Sequence, residues 1–87
     1  MKSKEASQAL KNFCGNVATL RSYYRLSEES MAEILEISVE CYKQVEQGVV
    51  SSEVTTEALL HIYERFSISP TKFLGTVLKI EDGALQE

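Results

Sequence analysis

Eighty-seven residues with a formal net charge of −4 suit one small core spanning 1–87 and leave no room for a second. An apolar fraction of 44% and a charged fraction of 25% exclude general disorder, and no apolar run is long enough to cross a bilayer. The opening MKSKEASQ is polar with no apolar stretch behind it to make a signal peptide, so the cytoplasm is the expected compartment.

Leu10, Phe13, Cys14, Val17, Leu20 and Tyr24 recur at steps of three and four, which predicts a first helix from about Ser7 to Tyr24. Ser27 offers an N-cap oxygen, and Glu28 and Glu29 suit the positive end of a second helix whose inner face is Met31, Ala32 and Leu35. Ser38 is a second N-cap and opens a third helix with Tyr42 and Val45 turned inward; Gly48 closes it as a left-handed cap. After a loop over Val49 to Glu53, a fourth helix begins near Thr56 and carries Leu59, Ile62, Tyr63 and Phe66 on one face. Ser69-Pro70 pairs a capping hydroxyl with a proline suited to the first helical position. The fifth helix is expected to turn Phe73, Leu74, Val77 and Leu78 inward before Asp82-Gly83 breaks the pattern. No stretch alternates with period two for long enough to predict a sheet. The expectation is an all-α fold of five helices, with flexible ends at 1–6 and 82–87.

Chemistry is sparse along this chain. Cys14 and Cys41 make no C-x-x-C, and each lies in an apolar helical pattern where a thiol packs as a small hydrophobe. His61 is the sole histidine, which argues against a metal ligand set or a nucleophile–base pair. The four glycines are scattered and form no phosphate loop. Neither an enzyme, a cofactor nor a metal is expected.

The run Leu26-Ser-Glu-Glu-Ser-Met-Ala-Glu-Ile-Leu-Glu-Ile-Ser38, followed by Tyr42-Lys-Gln-Val-Glu-Gln-Gly48, resembles the helix-turn-helix of the Cro/lambda-repressor family, the xenobiotic-response-element type of transcriptional regulator. That family's pattern is roughly L-[ST]-Q-x-x-[LM]-A-x-x-x-G-[IV]-S, then I-x-x-[IVLW]-E-x-G. The resemblance extends from Asn16 to about Leu74 and includes Phe66-Ser-Ile-Ser-Pro-Thr-Lys-Phe-Leu74 as the lead into helix five. It implies a lambda-repressor-like domain whose helices two and three form the helix-turn-helix. It further implies that Arg21 and Glu46 pair to tie the first helix to the end of the third, a contact that suits a two-pronged guanidinium–carboxylate bridge.

By the same resemblance, Val39, Glu40 and Gln44 fall where base contacts are made. Gln44 suits adenine, Glu40 can accept from cytosine N4, and Val39 can meet a thymine methyl. Arg25, Glu28, Lys43 and Gln47 fall where the DNA backbone is met, with Lys2, Lys4 and Lys11 as further cations. The implied function is a sequence-specific regulator, a repressor in the usual case, that inserts helix three into the major groove of double-stranded DNA. Such proteins act as symmetric dimers on half-sites about 34 Å apart; the candidate dimer surface is helix five and the tail, through Phe73, Val77 and Ile80, with Leu85 beyond.

Two positions depart from the family pattern. Glu36 stands at the turn glycine, where a left-handed backbone costs a side-chain-bearing residue roughly 1 kcal/mol, and Glu28 stands at a phosphate-contacting glutamine. Charge is divided unevenly as well: residues 1–25 carry five basic residues against one acid, whereas residues 26–60 carry eight acids against Lys43 alone. DNA binders draw affinity from cations that neutralise phosphates. The acidic segment therefore keeps a second reading in view, a repressor-fold module that binds a protein partner and little or no DNA.

Overall fold

The computed structural model describes residues 4–81 and 83–86. Five helices run in order, α1 (Lys4–Tyr24), α2 (Glu28–Leu35), α3 (Val39–Glu46), α4 (Thr56–Phe66) and α5 (Pro70–Gly75), followed by two short strands, β1 (Lys79–Glu81) and β2 (Ala84–Gln86). The architecture is thus mostly helical. No helix among the described residues is long and apolar enough to cross a membrane.

Helix ends follow from local chemistry. Ser27 accepts from the Ser30 N–H at 3.0 Å, and Ser38 from the Cys41 N–H at 3.1 Å, so each hydroxyl satisfies a backbone donor that its helix leaves open. Ser69 caps α5 in the same way, with Pro70 at the first position. At the far end of α3, Gly48 takes a positive φ of 93°, and the Val49 and Gly48 N–H groups return to the Gln44 and Val45 carbonyls. This is the Schellman closure, which favours glycine. The same bonding pattern closes α1 around Arg25 (φ 56°) and α2 around Glu36 (φ 61°), two left-handed residues that do carry side chains.

The core gathers one face from each helix. Phe13, Cys14, Val17 and Leu20 of α1 are buried with Met31, Ala32 and Leu35 of α2, Tyr42 and Val45 of α3, Ala58 and Ile62 of α4, and Phe73 of α5. Ala32 is buried on the inner face of α2, where its side chain is only a methyl group. The apolar stripe of α1 is shorter than its sequence pattern: Leu10 and Tyr24 are about half exposed, because the partner helices cover only the middle of a 21-residue helix. Tyr24 instead rests against Phe66, ring centres 5.0 Å apart. On α4, Tyr63 is likewise exposed while Leu59 and Phe66 are partly buried.

Three expectations need correction at the C-terminal end. Helix α5 stops at Gly75, and Thr76 is extended (φ −133°, ψ 146°), so Val77 and Leu78 do not lie on a helix. Leu78 is buried, but Val77 points to solvent. The chain past α5 does not simply break off: β1 and β2 pair as a hairpin, in which Lys79 faces Gln86, Ile80 faces Leu85 and Glu81 faces Ala84 in antiparallel register. Residues 84–86 form a strand and residues 4–6 belong to α1, where flexible ends had been expected; positions 1–3, 82 and 87 lie outside the described residues. A strand of three residues is too short to display alternation, although Asp-Gly between two short extended runs is a recognised hairpin sign.

Two asparagines on α1 hold this end in place. The Asn12 amide donates to the Leu74 carbonyl at 2.7 Å. The Asn16 amide donates to the Phe73 and Thr76 carbonyls at 2.8 and 2.7 Å, while its oxygen accepts from the Leu78 N–H at 2.9 Å. Asn16 thus supplies the hydrogen bonds that α5 and the lead into β1 cannot make for themselves.

Candidate functional site

The solvent face of α3 is set by the half of the helix that the core claims. Cys41, Tyr42 and Val45 are buried, which leaves Glu40, Lys43, Gln44 and Gln47 exposed along one side. Val39 does not belong fully to that exposed side. It stands three residues before Tyr42, on the same flank of the helix, and is half-buried against the core. Arg25 is exposed at the end of α1, and Glu28 is partly buried in the first turn of α2. Neither Arg25 nor Lys43 takes part in an ion pair among the described residues. Lys2 lies outside the described residues.

Helix α3 is anchored at both ends. At its C-terminal end the Arg21 guanidinium meets the Glu46 carboxylate through two contacts, Nε to Oε2 at 2.6 Å and Nη2 to Oε1 at 3.3 Å. A further Arg21 N–H reaches the Leu26 carbonyl at 3.3 Å, and the Tyr42 hydroxyl donates to the same Glu46 carboxylate. One side chain of α1 therefore holds the link into α2 and the last turn of α3. Burial alone would raise the Glu46 pKa, but hydrogen bonds from Arg21 and Tyr42 and the Arg21 charge outweigh it and hold the carboxyl below its ordinary value. The Tyr42 hydroxyl is pushed well above the usual range, first by burial and then by the carboxylate that its neutral form donates to.

At its N-terminal end, α3 is held by a residue that sequence spacing does not reveal. Glu53, from the loop before α4, accepts from the Ser38 N–H at 2.5 Å and from the Ser38 hydroxyl at 3.1 Å. The same hydroxyl caps Cys41, so Glu53, Ser38 and the first turn of α3 form one chain of bonds. No sequence rule links a serine N-cap to a carboxylate fifteen positions later.

A second grouping joins the α2–α3 link to α4. Glu36, Glu57 and His61 bring possible ligand atoms within 4.8 Å of one another, both carboxylates being exposed. The His61 Nε2 is buried without a hydrogen-bond partner, and the nearest carboxylate oxygen, from Glu36, is 3.4 Å away. The sequence does not reveal this grouping, because the three residues come from two elements. Glu57 and His61 share a helix face at a spacing of four, but Glu36 reaches them only through its left-handed turn.

Of the expected dimer contacts, Phe73 has no surface to offer, being wholly buried, whereas Val77 and Ile80 are 57% and 43% exposed. Phe73 is consumed by the core, where its ring meets Phe13 edge-on at 5.7 Å. Comparison with known proteins finds no family model, no curated protein and no solved structure that matches this chain.

Proposed function

We propose that this chain is a cytoplasmic, sequence-specific DNA-binding regulator of the Cro/lambda-repressor kind, a repressor acting as a homodimer, in which α2 and α3 serve as the helix-turn-helix. The observation that carries the reading is the rigidly held polar face of α3. Glu40, Lys43, Gln44 and Gln47 stand on one exposed side of an eight-residue helix whose two ends are fixed by Glu53 and by Arg21. Side chains that read base edges must be presented on a helix that does not shift, because hydrogen bonds to bases are directional. Gln44 reads adenine and Glu40 accepts from cytosine. Lys43, Gln47 and Arg25 meet phosphates, while helix α2 crosses the backbone with Glu28 at its start. Val39, half-buried, retains only an edge for a thymine methyl.

A second reading is favoured by one specific feature, the acids at the N-terminal ends of α2 and α3. Glu28 and Glu29 open α2, Glu40 lies in the first turn of α3 and Glu53 is bonded to Ser38 at its start, so negative charge gathers at both helix starts. Each carboxylate near a phosphate is repelled by about 1 kcal/mol at 4 Å in water. On this reading the same face docks a protein partner.

Gln44→Ala separates the two. Its side chain is exposed and makes no hydrogen bond among the described residues, so the thermal midpoint should stay within about 2 °C of the parent, the range of a surface substitution. Discrimination at one base pair of the bound site should fall by about ten-fold, the scale of a single bidentate contact. Equilibrium binding to a set of single-base variants of the site measures this; selectivity equal to that of the parent would remove α3 from the groove.

A further inference from the structure

Among the described residues, the His61 Nε2 is the one buried side-chain polar atom without a hydrogen-bond partner. Buried polar atoms are nearly always paired, so the exception calls for a reason. Glu36 Oε1 stands 3.4 Å from Nε2 without the alignment of a hydrogen bond, and Glu57 sits one turn earlier on α4. On the other side of the ring, Glu64 Oε1 is 3.9 Å from Nδ1. A carboxylate on that side favours the tautomer with its proton on Nδ1, which turns the Nε2 lone pair toward Glu36 and Glu57. Three electron-pair donors then converge with no proton between them.

The spacings are those of a metal ligand set. Two ligand atoms about 2.0–2.1 Å from a tetrahedral zinc ion stand about 3.4 Å apart, and the His61 Nε2 and Glu36 Oε1 are separated by 3.4 Å. The Glu57 ligand atom is within 4.8 Å of the other two, and a turn of its exposed side chain closes the remainder. Glu57 and His61 are four positions apart, the helical spacing that sets two ligands on one face. Glu36 completes the set from a left-handed turn (φ 61°) that glycine would adopt at lower cost. A glycine there, however, would have no side chain to reach α4. One imidazole with two carboxylates suits zinc and its first-row neighbours; magnesium and calcium prefer oxygen alone. We infer that Glu36, Glu57 and the His61 Nε2 bind one zinc-class divalent ion, with water as the fourth ligand, tying the α2–α3 link to α4. The site rests neither on DNA contacts nor on a dimer.

The experiment is calorimetric titration of zinc ions into the full chain, stripped with a chelator and kept reduced. The parent should bind one ion per chain, and a hundred-fold excess of zinc over its Kd should raise the melting midpoint by about 10 °C or more. Glu36→Gly, Glu57→Gln and His61→Gln should each weaken binding about ten-fold or more. Glu81→Gln, on the hairpin, should bind like the parent. Glu36→Gly guards against misfolding, because its turn favours glycine. Cobalt(II) in place of zinc should give no thiolate charge-transfer band, which separates this site from Cys14 and Cys41. Absence of binding, ligand variants that bind like the parent (an adventitious ion only), or a thiolate band would each overturn the site. A chain that binds zinc but no DNA would leave it standing and overturn the DNA reading alone.

Discussion

Replacing Asn16 with alanine should lower stability by about 3 kcal/mol, the largest single loss expected of any polar residue in this fold. Asn16 is 1% exposed and makes three hydrogen bonds to backbone groups 57 to 62 residues away. Alanine leaves the Phe73 and Thr76 carbonyls and the Leu78 N–H without partners, and an orphaned buried group costs about 1–3 kcal/mol. Water reaching the partly exposed Thr76 offsets part of that cost, which keeps the sum near the lower end. For a domain of this length each kcal/mol corresponds to about 4–8 °C, so the melting midpoint should fall by about 15 °C. Asn16→Asp is a sharper probe, since it keeps the acceptor for Leu78 but sets a carboxylate against two carbonyl oxygens. It should destabilise at least as much at neutral pH. A thermal melt followed by circular dichroism measures both; a midpoint within a few degrees of the parent would show that α5 and the hairpin do not depend on α1 in this way.

Arg21→Ala should cost about 2 kcal/mol. The side chains of the pair are 30% and 18% exposed, which places the loss between the 0–1 kcal/mol of a surface bridge and the 3–5 kcal/mol of breaking a buried one. What remains is a Glu46 carboxylate held by Tyr42 alone and a Leu26 carbonyl without its Arg21 contact. The pair also has a pH signature. Because Glu46 titrates below its ordinary value of 4.5 when folded, its contribution is fully present above that value and is lost as the pH falls through the lower, folded value. Melts of the parent and of Glu46→Gln should therefore differ at neutral pH and converge in acid. Equal midpoints for Arg21→Ala and the parent at neutral pH, or a parent–Glu46→Gln gap that does not shrink in acid, would contradict the role given to this pair.

The features that sequence made legible are those whose causes are local. Ser27, Ser38 and Ser69 announce helix starts because a hydroxyl before an apolar pattern serves backbone donors only a few residues away. Gly48 ends α3 for an equally local reason. The meeting of Arg21 with Glu46 was legible only through the family resemblance, since composition and spacing cannot join residues 25 positions apart. What was not legible depends on distant partners. The asparagines of α1 read as polar interruptions of an apolar stripe until the carbonyls of α5 arrive beside them. Glu53 reads as one more acid of an acidic segment until it meets Ser38. Phe73 reads equally well as core or interface, and its complete burial decides for core. The strands escaped notice because three residues cannot carry a period.

The acidic surface turns the proposed function into a question of magnitudes. Residues 26–60 carry eight acids and one lysine, so phosphate neutralisation must come from Arg25, Lys43 and the basic α1 segment. A single copy gathers few such contacts, and affinity rises steeply with the number of phosphates neutralised. The homodimer of the proposed function would double that number on one DNA duplex, which links the dimer to the affinity of the reader.

The most direct test is selection from a pool of random duplex DNA by the full chain, at low and at physiological salt, with sequencing of the retained fraction. The account predicts enrichment of a two-fold symmetric motif, weakened at the higher salt and degraded at one base pair per half-site by Gln44→Ala. Absence of any retained DNA at low salt would contradict it, and would assign the exposed face of α3 to a protein partner.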